Sequence, residues 1–193
     1  MLANFLEMME RNDYVVLDTE TTGLHRGEIC QIAIINPSGE TLLNSYVKTV
    51  NPIPLAAQQI HGISDAMVAD APTWNTVSEQ VREIVAGRDV VVYNATYDRK
   101  MMHQSAEAAG MPKTDWKTFS WWYCAMLSYA EYRGDWNDYY GNYRWHKLSN
   151  AARQCGVKVE NAHDALGDCL MTLGVMKYMA NENATPEVDG IPW

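Results

Sequence analysis

Asp18 and Glu20 stand two residues apart, directly after the apolar run Tyr14-Val-Val-Leu17. A strand alternates its side chains between faces, so this spacing sets both carboxylates on one side. Adjacent carboxylates repel. Unless one is protonated they require a cation, and ligands that are all oxygen suit a hard divalent ion such as Mg2+ or Mn2+. Taken alone, an acidic pair after a strand is more often a solvated turn. Asp98, in Tyr93-Asn-Ala-Thr-Tyr-Asp98, and Asp168, in His163-Asp-Ala-Leu-Gly-Asp168, supply a third and a fourth carboxylate. In isolation Asp98 reads as a first-turn acid complementing a helix dipole, and Asn94 as an ordinary N-cap.

His163 and Asp168 are five residues apart, and at about 100° per residue they lie about 140° apart around a helix. They cannot share a helical face. For both to reach one site His163 must lie before the helix or at its frayed start, where a neutral imidazole is placed to act as general base on a water.

The elements that position these residues are legible as pattern. Residues 1–11 carry apolar side chains at helical spacing, with Leu2, Phe5, Leu6 and Met9 on one face. Residues 14–17 form a strand buried on both faces, followed by strands at 29–35 and 42–47 joined through Asn36-Pro-Ser-Gly39. Helices are expected at 55–60 and 73–85, and a fourth buried strand at 90–93. A further helix at 95–109 stops at Gly110, with Pro112 beyond. Later helices are expected at 118–130, 147–155 and 165–179. Residues 131–146 are polar and aromatic without a period, and residues 181–193 show no helix signal.

The three acidic motifs together are far more specific than their parts. LDTETTGL (17–24), YNATYDRKMM (93–102) and HDALGD (163–168), with QQIHGISDAMVADAP (58–72) between the first two, resemble the DEDDh (DnaQ-like) 3′→5′ exonucleases. This is the family of the DNA polymerase III epsilon subunit and exonuclease X. The likeness runs from about residue 14 to 177. It implies an α/β fold with a ribonuclease H-like mixed sheet, its second strand antiparallel, flanked by helices. With the length of one domain and no dividing linker, residues 1–193 are expected to form a single exonuclease domain.

By the same resemblance Asp18 bridges two divalent cations, Mg2+ or Mn2+. Glu20 and Asp168 complete the shell of the first, Asp98 serves the second, and His163 is the general base. Such a pair stabilises both the attacking hydroxide and the departing 3′ oxygen. The backbone around Thr19 and Thr21 faces the terminal nucleotide, Leu24 wedges against its base, and His61 and Asn94 line the pocket. Leu24 reads equally as core, and His61 as a turn residue capping a helix.

The implied activity is a 3′→5′ exonuclease on single-stranded or frayed DNA ends, releasing nucleoside 5′-monophosphates. An exoribonuclease or oligoribonuclease fits the same motifs, because nothing in them decides whether a 2′-hydroxyl is admitted. An inactive nucleic-acid-binding module associated with a polymerase, and a phosphodiesterase on small nucleotides, are the readings from other classes. The intact four acids and His163 count against the inactive module.

Composition sets the remaining bounds. The 193 residues are 47% apolar and 20% charged, which excludes a disordered or fibrous chain. The net charge of -9 excludes a basic nucleic-acid clamp, so a polyanion must be held locally, by metals or loops. Cys30, Cys124, Cys155 and Cys169 are far apart in sequence and read as reduced core thiols. No stretch resembles a secretory signal or a membrane span, so a cytoplasmic protein without a membrane partner is expected. Residues 131–147 hold six aromatic rings among three bases and three acids. They read as a stacking surface for single-stranded bases, or equally as packing against the body or a second subunit, which makes a homodimer a further expectation. Trp121 and Trp122 read as core. The chain stops about a dozen residues after its last helix signal, where the replicative proofreading subunit carries a longer segment; this counts against a polymerase partner. Pro192 and Trp193 read by default as a frayed tail, with a short docking motif as the alternative.

Overall fold

The computed structural model describes residues 1–158 and 163–183. Pro192 and Trp193, read as a frayed tail or a docking motif, lie outside the described residues. The chain opens with helix α1 (Leu2–Arg11) and strands β1 (Tyr14–Thr21), β2 (Ile29–Ile35) and β3 (Thr41–Tyr46). Helices α2 (Leu55–His61), α3 (Asp65–Val68) and α4 (Trp74–Val85) precede strand β4 (Asp89–Val92) and helix α5 (Ala95–Ala108). Strand β5 (Trp121–Cys124) and helix α6 (Ala125–Arg133) follow, then a minimal hairpin of β6 (Trp136–Asn137) and β7 (Asn142–Tyr143). Helices α7 (Leu148–Gln154) and α8 (Ala165–Asn183) close the described chain.

The main sheet has the order β3-β2-β1-β4-β5. β2 runs antiparallel to β1 and β3 antiparallel to β2, while β4 and β5 run parallel to β1. This is the mixed sheet, antiparallel at its second strand, that the resemblance implies. The β2–β3 turn closes as its residues dictate: the Asn36 carboxamide oxygen accepts the N–H groups of Ser38 and Glu40, and Gly39 takes φ 90°.

β1 divides two cores by its period of two. Tyr14 and Val16 face a cluster with α1, α6, α7 and α8, whereas Val15 and Leu17 face α4 and α5. α1 buries Phe5 and Met8 completely and lays Leu2, Leu6 and Met9 against the first cluster. It ends at Asn12 in the left-handed conformation that asparagine tolerates.

Four sequence expectations are corrected. The helix expected over 118–130 is a single 3-10 turn (Trp116–Thr118), strand β5 and then α6. The run Trp121-Trp-Tyr-Cys124 has the aromatic composition of a strand, and parallel pairing with β4 wins over helix propensity. Trp121 is consequently not core: it stands 78% exposed on an edge strand, and Trp122 is half-buried beneath the Arg99 guanidinium, 5.6 Å from the ring centre. Trp116 and Trp74 are the buried indoles, packed edge to face. Residues 131–146 hold a hairpin of two-residue strands, too short for any period to show. Finally, α8 runs four residues past the expected end at 179. All four cysteines are free, but only Cys30 and Cys169 are fully buried.

Candidate active site

The face of β1 that buries Tyr14 and Val16 continues into Asp18 and Glu20, both half-buried at the strand's carboxyl end. Two apolar positions anchor the strand before two charged positions leave the core. Pairing of Val16 with Val91 brings the end of β4 alongside, so the first turn of α5 reaches this point. Asp98 lies in that turn, 4% exposed, and accepts a 2.7 Å hydrogen bond from the Thr19 hydroxyl. The neighbouring Tyr97 hydroxyl lies 2.6 Å from that of Thr21. Thus the threonines, on the opposite face of β1 from the acids, tie α5 to the strand.

α8 arrives from the other side. It packs on β1 and β2, where the Cys169 thiol lies 3.6 Å from the Val16 carbonyl and 3.5 Å from that of Ala33. Asp168 is therefore held beside β1. His163 stands before the helix, as its spacing from Asp168 requires, at φ 65° and exposed. Its backbone N–H points to the Asp168 carboxylate at 3.4 Å. One ligand atom from each of Glu20, His163 and Asp168 lies within 4.8 Å of the other two.

Sequence reasoning missed two residues that build this corner. Asp164 caps α8, its carboxylate accepting the Gly167 N–H at 3.1 Å. Gln31, 3% exposed in the fully buried strand β2, donates to Asp164 at 2.9 Å and accepts the Ala165 N–H at 3.2 Å. A glutamine inside Ile29-Cys-Gln-Ile-Ala-Ile-Ile35 is itself a signal, since a buried amide needs partners.

The electrostatics of the cluster are uncompensated. Burial pushes the Asp18 carboxyl well above the ordinary carboxylate range, and the charges of Asp98, Asp168, Glu20 and Asp164 add to this. Burial first, then Asp168, Asp164 and Asp98, pushes Glu20 up to about 8. Asp98 is pushed up to about 7 by burial, against the opposing hydrogen bonds from the Thr19 hydroxyl and from backbone N–H groups. Asp168 is raised by burial, which outweighs the His163 N–H and its charge. Among the described residues no lysine or arginine acts as charge partner to any of the four. Four carboxylates with no lysine or arginine among their charge partners are a donor set for hard divalent ions, and the residues present fit such a group.

The other expected residues are placed as follows. His61 ends α2; its Nδ1 accepts the Ile63 N–H at 3.0 Å, and its Nε2 lies 3.9 Å from the Cys30 sulfur. Burial lowers its pKa, and the charge of His163 lowers it further. It is thus a turn residue that also borders the site. The loop leading to α2 is pinned by the buried Glu28 carboxylate, which accepts the N–H groups of Val50 and Asn51. Leu24 is 66% exposed on the loop after β1, which excludes the core reading, and Lys100 donates to its carbonyl at 3.2 Å. Asn94 precedes α5 without a capping side-chain bond. It lines, with Tyr93, Trp145, Lys147, His163 and Asp168, a cavity of about 540 Å³.

A mixed sheet with this order, carrying acids at the end of its central strand and on the helices beside it, defines a ribonuclease H-like nuclease fold. Residues 15–176 match the model of the family described as Exonuclease, RNase_T. The chain belongs to this exonuclease family, of the DnaQ 3′→5′ type, and is a nuclease hydrolase. It is 43% identical over 177 residues to a protein of Escherichia phage 186 named Uncharacterized exonuclease CP81, covering 90% of this chain and 91% of that one. It is 30% identical over 179 residues to a DNA polymerase III subunit epsilon-like protein of Rhodobacter capsulatus, covering 85% of this chain but 23% of that protein. Among solved structures, exonuclease X in complex with 5′ overhanging duplex DNA superposes with a TM-score of 0.65 at 25% identity, over 88% of this chain and 92% of that one. E. coli exonuclease I in complex with a dA16 oligonucleotide shares the fold, with a TM-score of 0.71 at 17% identity over 90% of this chain and 41% of that one. Among the described residues no helix is long and apolar enough to cross a membrane.

Proposed function

We propose that the chain is a two-metal 3′→5′ exonuclease that hydrolyses the terminal phosphodiester of single-stranded or frayed DNA and releases nucleoside 5′-monophosphates. The observation that carries this reading is the convergence of Asp18, Glu20, Asp98 and Asp168 at the end of β1 with no lysine or arginine of the described residues among their charge partners. Asp18, Glu20, Asp98 and Asp168 would hold two Mg2+ or Mn2+ ions. When bound, the ions supply Lewis acidity to the attacking water and to the departing 3′ oxygen, and offset the charge of the scissile phosphate.

The remaining roles belong to the chain's own groups. His163, exposed at the cavity and held ahead of α8, takes the proton of the attacking water. Thr19 fixes the Asp98 carboxylate through its hydroxyl, while the backbone around Thr19 and Thr21 faces the terminal nucleotide. Leu24, with its side chain free in solvent, wedges against the terminal base. His61 and Asn94 border that nucleotide. Support for DNA comes from exonuclease X, whose solved complex contains overhanging duplex DNA. One exonuclease domain spans the chain in this reading.

The test is a time course on matched single-stranded DNA and RNA labelled at the 5′ end, with magnesium and with chelator. A ladder shortening from the 3′ end of DNA, only with metal, is expected. Faster loss of RNA overturns the DNA assignment, and no cleavage of either strand overturns the exonuclease reading.

A further inference from the structure

The cavity beside His163 and Asp168 does not end at the catalytic corner. Trp145 lines it, and the same residue lines a second cavity of about 500 Å³ with Asn137, Tyr140, Asn142 and Arg144. Both volumes are of ligand size. One ring therefore joins the candidate active site to the β6–β7 hairpin.

The hairpin is built to present rings. Trp136 and Tyr143, directly paired across the strands, pack edge to face at 5.1 Å and hold a structure whose two-residue strands cannot hold themselves. Tyr140 remains 71% exposed and Trp145 61% exposed, and Trp145 contacts no other ring among the described residues. Apolar rings left in water mark a surface that is covered in function.

Charge selects the occupant. Of the three acids in this stretch, Glu131 is engaged by the amino terminus of α1, the Asp135 carboxylate stands 3.9 Å from His146, and Asp138 is exposed between the strands of the hairpin. Arg144 and Lys147 are exposed and form no ion pair among the described residues, in a protein of net charge -9. Cations alternating with exposed rings, continuous with a cavity that holds a general base and a metal-ligand acid, fit one chemistry: a single polynucleotide strand whose bases stack and whose phosphates meet the cations.

We propose that Trp145 is the stacking platform for nucleotides trailing the 3′ terminus. The groove from the active-site cavity to the hairpin is a single-strand track, with Tyr140 as a second ring and Arg144 and Lys147 on its phosphates. The inference rests on the exonuclease reading of the adjoining site and adds the path of the strand. It makes the enzyme sensitive to substrate length, since a dinucleotide cannot reach past Trp145.

The test compares Trp145→Ala, Trp145→Phe and wild type on an oligothymidylate of about twelve nucleotides, the span of a typical single-strand site. Affinity is read by fluorescence anisotropy in magnesium on a strand with phosphorothioate linkages at its 3′ end, and turnover on the unmodified strand. Losing one stacked base weakens binding about tenfold. Trp145→Ala is expected to lower affinity and raise KM by that factor with little change in kcat, and Trp145→Phe to restore most of it. Equal affinity and KM in all three overturns the track. So does loss of an oligomer in Trp145→Ala, seen by light scattering, with strand affinity unchanged, because the rings then serve a protein interface. If wild type binds the strand but never cuts it, the exonuclease reading fails while the anisotropy ratio still decides the track.

Discussion

The acid cluster at the carboxyl end of β1, through Asp168, and the β6–β7 hairpin border two cavities that share Trp145, yet they depart from ordinary packing in opposite ways. At β1 the departure is electrostatic: four carboxyls converge where burial and mutual repulsion raise their pKa values. At the hairpin it is hydrophobic, with large rings in water and two cations beside them. The first arrangement is relieved by positive charge, the second by a flat apolar surface with negative groups along its edge. A nucleic acid 3′ end accompanied by divalent ions relieves both. In the proposed reading, the difference teaches how an acidic protein would handle a polyanion: attraction concentrated in bound ions at one end and in stacking at the other.

The largest effect is expected at the centre of the electrostatic end. Asp18→Asn should cut kcat by at least about a thousandfold, since in the proposed site one carboxylate would serve both ions. A loss no greater than that of Glu20→Gln would show that Asp18 is not shared. His163→Ala is next, with about a hundredfold loss of rate and disappearance of the rising limb of the pH profile, while calorimetric metal affinity stays near wild type. An unchanged profile assigns His163 to structure.

Gln31→Leu separates positioning from chemistry. It leaves Asp164 and the Ala165 N–H without their partner on β2, so α8 and Asp168 lose their registration. A roughly tenfold fall in metal affinity is expected, with Gln31→Glu retaining an acceptor for Ala165 and recovering part of it. Equal metal affinity in wild type and Gln31→Leu would remove this residue from the site.

The smallest effect concerns stability without metal. Glu20 rises from an ordinary 4.5 to about 8, and Asp98 from 3.8 to about 7. The folded state therefore binds protons more tightly than the unfolded chain between these limits. Stability is full below about pH 4 and falls as the pH rises through about 7 and 8. In chelator the Tm should decline over this window, and Glu20→Gln should flatten the decline by a few degrees, solvent screening of the half-buried carboxylate limiting the gain. A Tm that rises with pH from 5 to 8 contradicts the sign.

Much of the electrostatic end was legible in the sequence. The apolar run before Asp18 gave the strand, the period of two gave the shared face, and the five-residue offset required His163 to precede α8. Gln31 and Asp164 escaped notice because their importance lies in a contact across more than 130 residues, which no local period carries. The hairpin end was far less legible. Its strands are two residues long, and Trp121 and Trp122 sit between helix-compatible neighbours, so pairing with β4 decided their fate. The aromatic composition of 131–147 was plain, but only the fold places Trp145 between two cavities.

The central claim, that the acids at the end of β1 are a divalent-cation site, is tested most directly by thermal unfolding at pH 8 with saturating magnesium or manganese against chelator. Binding to the folded state alone should raise the wild-type Tm by about 5–10 °C, and Asp18→Asn should show almost none of that rise. A wild-type Tm indifferent to both metals, or an equal rise in Asp18→Asn, contradicts the account.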